Sequence, residues 1–330
     1  MLIAGDIGGT KTLLALFTQQ AGIRQPIAQT EYHSADYPSL EPMVRAFLAA
    51  NGQTATEACF DVAGPVIDGH AHLTNLSWNL DEAAMGASLG LRRLTLMNDL
   101  KAVAYAVPHL GAGELHTLNP GKPAPGAPIA VIAPGTGLGE AFLIPSGNAN
   151  IACASEGGHA SFSPADARQD DLCRYLARKF GHVSMERVCS GLGIANIFDF
   201  LRDASPDAES ASFLESVAAA HDPTPLISQA AEQDPASHPL CVAALDLFVD
   251  ILGNEAGNLA LKVLATGGVY LGGGIPPRML ARLDNGAFLK AFTAKGRMAG
   301  MLAAIPVHVI TAQAALMGAA QYGLDRMSEA

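Results

Sequence analysis

The sequence predicts an α/β fold in two domains, and three observations carry that prediction. Short apolar runs closed by glycine alternate with longer stretches of helical periodicity along the whole chain, the pattern of sheets covered by helices. The length of 330 residues exceeds what one hydrophobic core ordinarily serves. A Gly- and Pro-rich stretch over 111–128 interrupts the pattern, and the strand, glycine turn and strand of the chain's opening then recur.

Residues 2–7 form a strand stopped by Gly8-Gly9, and 12–17 follow so closely that the two read as a hairpin. Met43, Phe47 and Leu48 share one face of a helix over 38–50. A strand at 58–63 stops at Gly64-Pro65, 80–89 is a short helix, and a strand at 94–97 ends in Asn98-Asp99, which opens a helix over 100–107. Beyond the Gly/Pro-rich stretch, strands at 129–133 and 140–144 flank a glycine turn. Most of the remainder is helical, at 170–180, 192–203 and 208–220. A long helix over 239–264 carries a stripe of Leu245, Phe248, Val249, Leu252 and Leu259. Strands at 268–271 and 306–310 and a helix at 312–324 close the chain.

Composition narrows the function. Apolar residues at 49% against charged residues at 15% exclude a disordered chain. A net charge of −11 repels nucleic acid and anionic lipid, so neither is an expected partner. The same charge repels a nucleotide, so any nucleotide site must act locally, through backbone N–H groups and a bound cation. No apolar window approaches the ~20 residues of a membrane span. The opening MLIAGDIGGT lacks the basic region of a signal peptide, so a cytoplasmic location is expected. Cys59, Cys153, Cys173, Cys189 and Cys241 form no Cys-x-x-Cys pair, which points to reduced thiols rather than disulfides or zinc.

Three glycine turns carry the chemistry: Gly8-Gly9-Thr10-Lys11, Gly135-Thr136-Gly137 and Gly272-Gly273-Gly274. Each lies at a strand end or hairpin tip, where glycine lets backbone N–H groups close around an anion. Taken singly, each is better read as a plain tight turn; three in one chain, with Thr hydroxyls in two, favour phosphate. The spacing is not that of a Walker loop, and the first turn leads into a strand rather than the helix of a dinucleotide site. Asp6 beside the first turn can hold Mg²⁺ through water, or simply bond its own turn. Asn98 and Asp99 read as a helix cap, yet they sit at a strand's carboxyl end, where an Asp can accept the proton of an attacking hydroxyl. Glu156-Gly157-Gly158-His159 wraps backbone between two polar side chains, and Glu186 stands in Met185-Glu186-Arg187. Carboxylates, an amide and an imidazole suit a ligand rich in hydroxyls.

Together these segments resemble the bacterial glucokinase family, in the branch without zinc that includes the enterobacterial enzyme. The matching stretches are GDIGGTKT (5–12), LTNLSW (73–78), ND (98–99), PGTGLG (134–139), EGGH (156–159), HVSMERVCSG (182–191), GNLAL (257–261) and GGVYLGGGIPPR (267–278), in the family's order and spacing. The resemblance covers nearly the whole chain. Pro134 departs from the small residue usual before the second turn, and 204–237 matches poorly. The zinc-binding cysteine cluster of the related repressor–kinase branch does not follow Gly158-His159, so no zinc is expected.

The resemblance implies an α/β, two-domain actin-like ATPase fold of the hexokinase, ribonuclease H-like type with a central cleft. On this reading 1–110 plus 312–330 form a small domain and 111–311 a large one. It implies ATP-dependent phosphorylation of D-glucose to glucose 6-phosphate, feeding glycolysis, with ATP and Mg²⁺ and a homodimer. Asp99 looks like the base toward the sugar 6-hydroxyl. Asn75, Asn98, Glu156, His159 and Glu186 look like its sugar-binding companions. Gly8, Gly9, Thr10, Lys11, Gly135, Thr136 and Gly137 would hold phosphate, Gly272, Gly273 and Gly274 would lie near adenosine, and Asp6 would face Mg²⁺ through water. The alternatives are a kinase of another hexose, a non-catalytic sugar sensor that kept the pocket, and polyphosphate as donor.

Overall fold

The computed structural model describes residues 1–73, 76–147 and 149–328. In chain order it runs β1 (Leu2–Ile7), β2 (Lys11–Phe17), β3 (Ala28–His33), α1 (Leu40–Ala50), β4 (Glu57–Val62), β5 (His70–Leu73), β6 (Trp78–Asp81), α2 (Glu82–Leu89), β7 (Arg93–Asn98) and α3 (Asp99–Ala106). There follow β8 (Leu115–Asn119), β9 (Ile129–Pro134), β10 (Leu138–Ser146), β11 (Ala149–Ser155), α4 (Ala167–Phe180), α5 (Gly191–Ala204), α6 (Ala211–Ala219), α7 (Thr224–Gln233) and α8 (Pro239–Val263). The chain ends with β12 (Gly268–Leu271), α9 (Leu280–Leu283), α10 (Ala287–Thr293), α11 (Ala299–Ala303), β13 (Val307–Ile310) and α12 (Ala314–Ser328). Two compact units result: Met1–Glu114, Leu143–Ala154 and the chain from Ala312 on; and Leu115–Phe142 with Ser155–Thr311. No helix among the described residues is long and apolar enough to cross a membrane.

The first unit is built on a sheet of order β3-β2-β1-β4-β7. Strands β1, β2 and β3 are antiparallel neighbours, whereas β1, β4 and β7 run parallel. On one face Ile3, Ile7, Leu14 and Leu16 pack with Met43, Val44 and Phe47 of α1. On the other, Leu2, Ala4 and Cys59 meet Leu316, Ala319, Ala320 and Leu324 of α12. Covered on both sides, β4 is buried along its whole length, as parallel strands usually are.

The other sheet has the order β11-β10-β9-β12-β13-β8; its strands β8, β9, β12 and β13 belong to the second unit, with β9, β12 and β13 parallel. Helix α8 is its central helix: Leu245, Phe248, Val249, Leu252 and Leu259, the expected stripe, are at most 1% exposed. Burial extends around most of the helix, to Leu240, Ala244, Ile251 and Ala256, because other helices surround it.

Several elements are not foreseen from the sequence. Strand β3 is an edge strand whose exposure alternates residue by residue, and its inward side chains are mostly polar or small. Helix α7 falls in the poorly matching stretch, which is nevertheless anchored. Glu209 there is buried, and accepts from the Leu240 N–H at 2.9 Å while contacting His238 Nδ1 at 2.8 Å. It thereby caps the first turn of α8, where Pro239 opens the helix. Glu209→Ala should lower stability by roughly 2 kcal/mol, by stranding the Leu240 N–H and the imidazole; a chemical denaturation midpoint equal to that of the unmodified chain would refute this anchor.

Candidate active site

In the first unit the hairpin β1–β2 forms the first glycine turn. The Gly8 N–H closes it onto the Lys11 carbonyl at 3.0 Å, and no partner is found among the described residues for the N–H groups of Gly9 and Thr10. Ser34 pins this turn from beneath. Its Oγ donates to the Gly8 carbonyl at 2.8 Å and lies 3.0 Å from Thr12 Oγ1, and its N–H donates to the Thr10 carbonyl at 2.9 Å. Lys11, expected at phosphate, pairs with Glu31 on β3 at 2.7 Å.

The parallel register sets Asp6 beside Asp61, and Val62 beside Asn98. Paired residues of neighbouring strands share a face, so Asp6 and Asp61 both point to the face that α12 covers. Asp61 is fully buried, and among the described residues its carboxyl oxygens have no hydrogen-bonding neighbour other than the Asp6 carboxyl beside them. Burial, then the charges of Asp6 and Asp99, push its carboxyl well above the usual range; burial also raises Asp6. Asn98 caps α3: its Oδ1 accepts from the Lys101 N–H at 3.0 Å. Its Nδ2 donates to the Gly64 carbonyl (3.1 Å) and to Asp99 Oδ1 (3.0 Å), which also accepts from the Leu100 N–H at 2.9 Å. The amide of Asn98 is therefore committed to aiming Asp99. Asn75 lies outside the described residues.

The second unit carries the other residues. The Gly135 N–H is taken by the Gly137 carbonyl at 2.8 Å, while those of Thr136 and Gly137 have no partner among the described residues, as in the first turn. Strand β10 begins at once, and the Leu138 N–H donates to Glu186 Oε2 at 3.0 Å. A Cβ on Gly137 would collide with Glu186 Oε2, so any side chain there would displace the carboxylate from the turn. Glu156 and His159 flank a single helical turn at the end of β11, 3.7 Å apart and both well exposed. Gly272, Gly273 and Gly274 follow β12; the Gly272 N–H donates to Ile132 at 2.9 Å, and Gly273 adopts φ +78°.

Sequence reasoning missed Ser34 and Asp61. Ser34 carries no local signal, whereas an Asp inside the apolar strand Ala58-Cys59-Phe60-Asp61-Val62 is a visible anomaly. Asp6, with the buried Asp61 hydrogen-bonded behind it, offers carboxyl oxygens of the kind that hold the water shell of a divalent ion beside the first turn. The only trio of closely placed metal-ligating types among the described residues is Glu209, His238 and Cys241, whose carboxylate is already occupied as the helix cap.

Residues 3–326 match the sequence profile of the family described as glucokinase. The chain is 44% identical to a glucokinase of Nostoc punctiforme over 97% of its own length and 98% of the relative's. A solved glucokinase from an Antarctic psychrotroph superposes with a TM-score of 0.84 at 32% identity, covering 98% of each chain. A ROK-family glucokinase from Streptomyces griseus, solved with glucose and AMPPNP, shares the fold at a TM-score of 0.64 and 22% identity, over 98% of this chain and 99% of that one.

A carboxyl whose folded pKa is raised stabilises the fold at acid pH and loses that contribution as pH climbs toward the folded value. Asp61→Asn should therefore raise the thermal midpoint, and the gain should widen between pH 5 and 7 by at most about 1.4 kcal/mol per unit. A gain independent of pH would show that Asp61 does not titrate there.

Proposed function

Because the chain belongs to the glucokinase family, it phosphorylates D-glucose to D-glucose 6-phosphate with ATP, and we propose that Asp99 is the base of that transfer. The observation that carries the proposal is the clamp on Asp99 Oδ1, where the Asn98 amide and the Leu100 N–H fix the carboxylate at the start of α3. A carboxylate so held is preorganised to accept the proton of the 6-hydroxyl as its oxygen attacks the γ-phosphorus in line. Asn98 orients it, and Glu156, His159 and Glu186 bind sugar hydroxyls.

The paired N–H groups of Gly9 and Thr10, and those of Thr136 and Gly137, bind phosphoryl oxygens and meet the charge that grows on them during transfer. Gly272, Gly273 and Gly274 serve the adenosine side. Asp6, with Asp61 behind it, would hold the water shell of Mg²⁺, which when bound neutralises phosphate charge. This reading needs no zinc, and with it goes a homodimer in the cytoplasm, the habit of the family that the sequence resembles.

The direct experiment is ADP release from Mg-ATP with and without glucose, with the product identified by mass as glucose 6-phosphate. Higher kcat/KM for mannose, fructose or N-acetylmannosamine would shift the reading to another hexose, and glucose binding without turnover would favour a sensor. Asp99→Asn should keep glucose affinity and lose roughly 10²- to 10⁴-fold in kcat; a kcat near that of the unmodified enzyme would remove Asp99 from the base role.

A further inference from the structure

Glu140 is the third residue of β10, 1% exposed, and its Oε1 has no hydrogen-bond partner among the described residues. Its Oε2 occupies the space that a Cβ on Gly157 would need, so the carboxyl forms the floor of the turn between Glu156 and His159. The Gly157 N–H is engaged elsewhere, with Ser155 Oγ at 3.0 Å. The turn that presents two sugar-binding side chains thus rests directly on a buried carboxyl group.

Resting on the glucokinase reading, we infer that Glu140 is a positioning residue for the sugar: it sets the height of the Glu156–His159 turn, and its charge decides whether that turn keeps the geometry that binds glucose.

The surroundings make that charge consequential. Glu255 of α8 is buried, and is met by Lys262 at 3.2 Å and Asn258 at 2.8 Å. Lys295 joins the same polar network through Asn258 Oδ1 at 2.7 Å, and also contacts Asn254. The Cys189 thiol is held well above its ordinary range by burial and by both carboxylates, so it stays neutral. Glu156 and His159 are the titratable groups on the turn itself. Burial, then the charge of Glu255, raise Glu140 to about 7, with Lys262 opposing. A neutral carboxyl fits beneath Gly157. Once ionised it is repelled by Glu255, and the way out leads through the glycine turn. Glucose affinity therefore declines as pH rises through neutrality.

The test is KM and kcat for glucose from pH 6 to 8.5 in the full-length enzyme, in Glu140→Gln and in Glu255→Gln, with calorimetric titration of glucose alone. The expected result is a rise in KM of about tenfold between pH 6 and 8 in the unmodified enzyme, carried by KM rather than kcat. Glu140→Gln, which keeps the shape and removes the charge, should flatten that rise. Glu255→Gln, which removes the repelling neighbour, should move its midpoint to lower pH. Superimposable KM–pH curves for the unmodified enzyme and Glu140→Gln overturn the inference. Absence of glucose turnover and binding at every pH overturns the glucokinase reading beneath it, a distinct result.

Discussion

Much of the second unit's chemistry hangs on the backbone of one residue, Leu138. Its N–H holds the Glu186 carboxylate, a charge-assisted bond of about 1.5–3 kcal/mol in such settings. Its carbonyl lies so close to Gly158 that any side chain there would strike it. Its own side chain is anchored in the core with Phe162 and Met185. Immediately before it comes the second glycine turn, and two residues later Glu140 supports Gly157. The turn proposed for phosphate and three side chains proposed for the sugar are thus referred to one strand start. A displacement of that strand by a fraction of an ångström would disturb them together, so preorganisation here is a property of β10 more than of any single ligand.

The first unit reaches a similar end through register. Parallel pairing of β1, β4 and β7 sets Asp6, Asp61 and Asn98 at the carboxyl ends of adjacent strands, the usual ligand side of a parallel sheet. The arrangement buries two acidic groups side by side, and that costs stability. The strand absorbs the cost because Ala58, Cys59, Phe60 and Val62 are at most 3% exposed and well packed on both faces. A buried carboxyl retained under those terms makes functional sense where a divalent cation is to be received.

Local features were legible in the sequence because local physics produces them. The glycine turns, the hairpin β1–β2, the cap at Asn98 and the stripe of α8 each follow from residues a few positions apart. What escaped is what distant residues do to one another. Ser34 lies 26 positions from the Gly8 carbonyl it bonds, and nothing near it in sequence marks it. The pairing of Lys11 with Glu31 depends on the antiparallel partner β3, which nothing beside the turn announces. Asn98 is legible as a helix cap, but the bonds of its Nδ2 to the Gly64 carbonyl and to Asp99 depend on where β4 ends. Glu140 looked like the first residue of a strand, and its burial depends on a turn and a helix contributed from elsewhere.

The sign of the whole molecule matters less to nucleotide binding than the placement of a few dipoles. A net charge of −11 acts through water and salt, where exposed charges are screened within about 8 Å. The two glycine turns proposed for phosphate would act in direct contact. In each, the first glycine N–H is bonded within its own turn, at 3.0 Å from Gly8 and 2.8 Å from Gly135, which fixes the direction of the two N–H groups that follow. Donors fixed in this way need no reorganisation when phosphate arrives, whereas lysine side chains would have to be ordered at a cost in entropy. An acidic protein can therefore bind a polyanion tightly while its surface repels polyanions in general. The expected consequence lies in kinetics: raising ionic strength should speed nucleotide association by screening the surface, and leave the contact between backbone and phosphate largely unchanged.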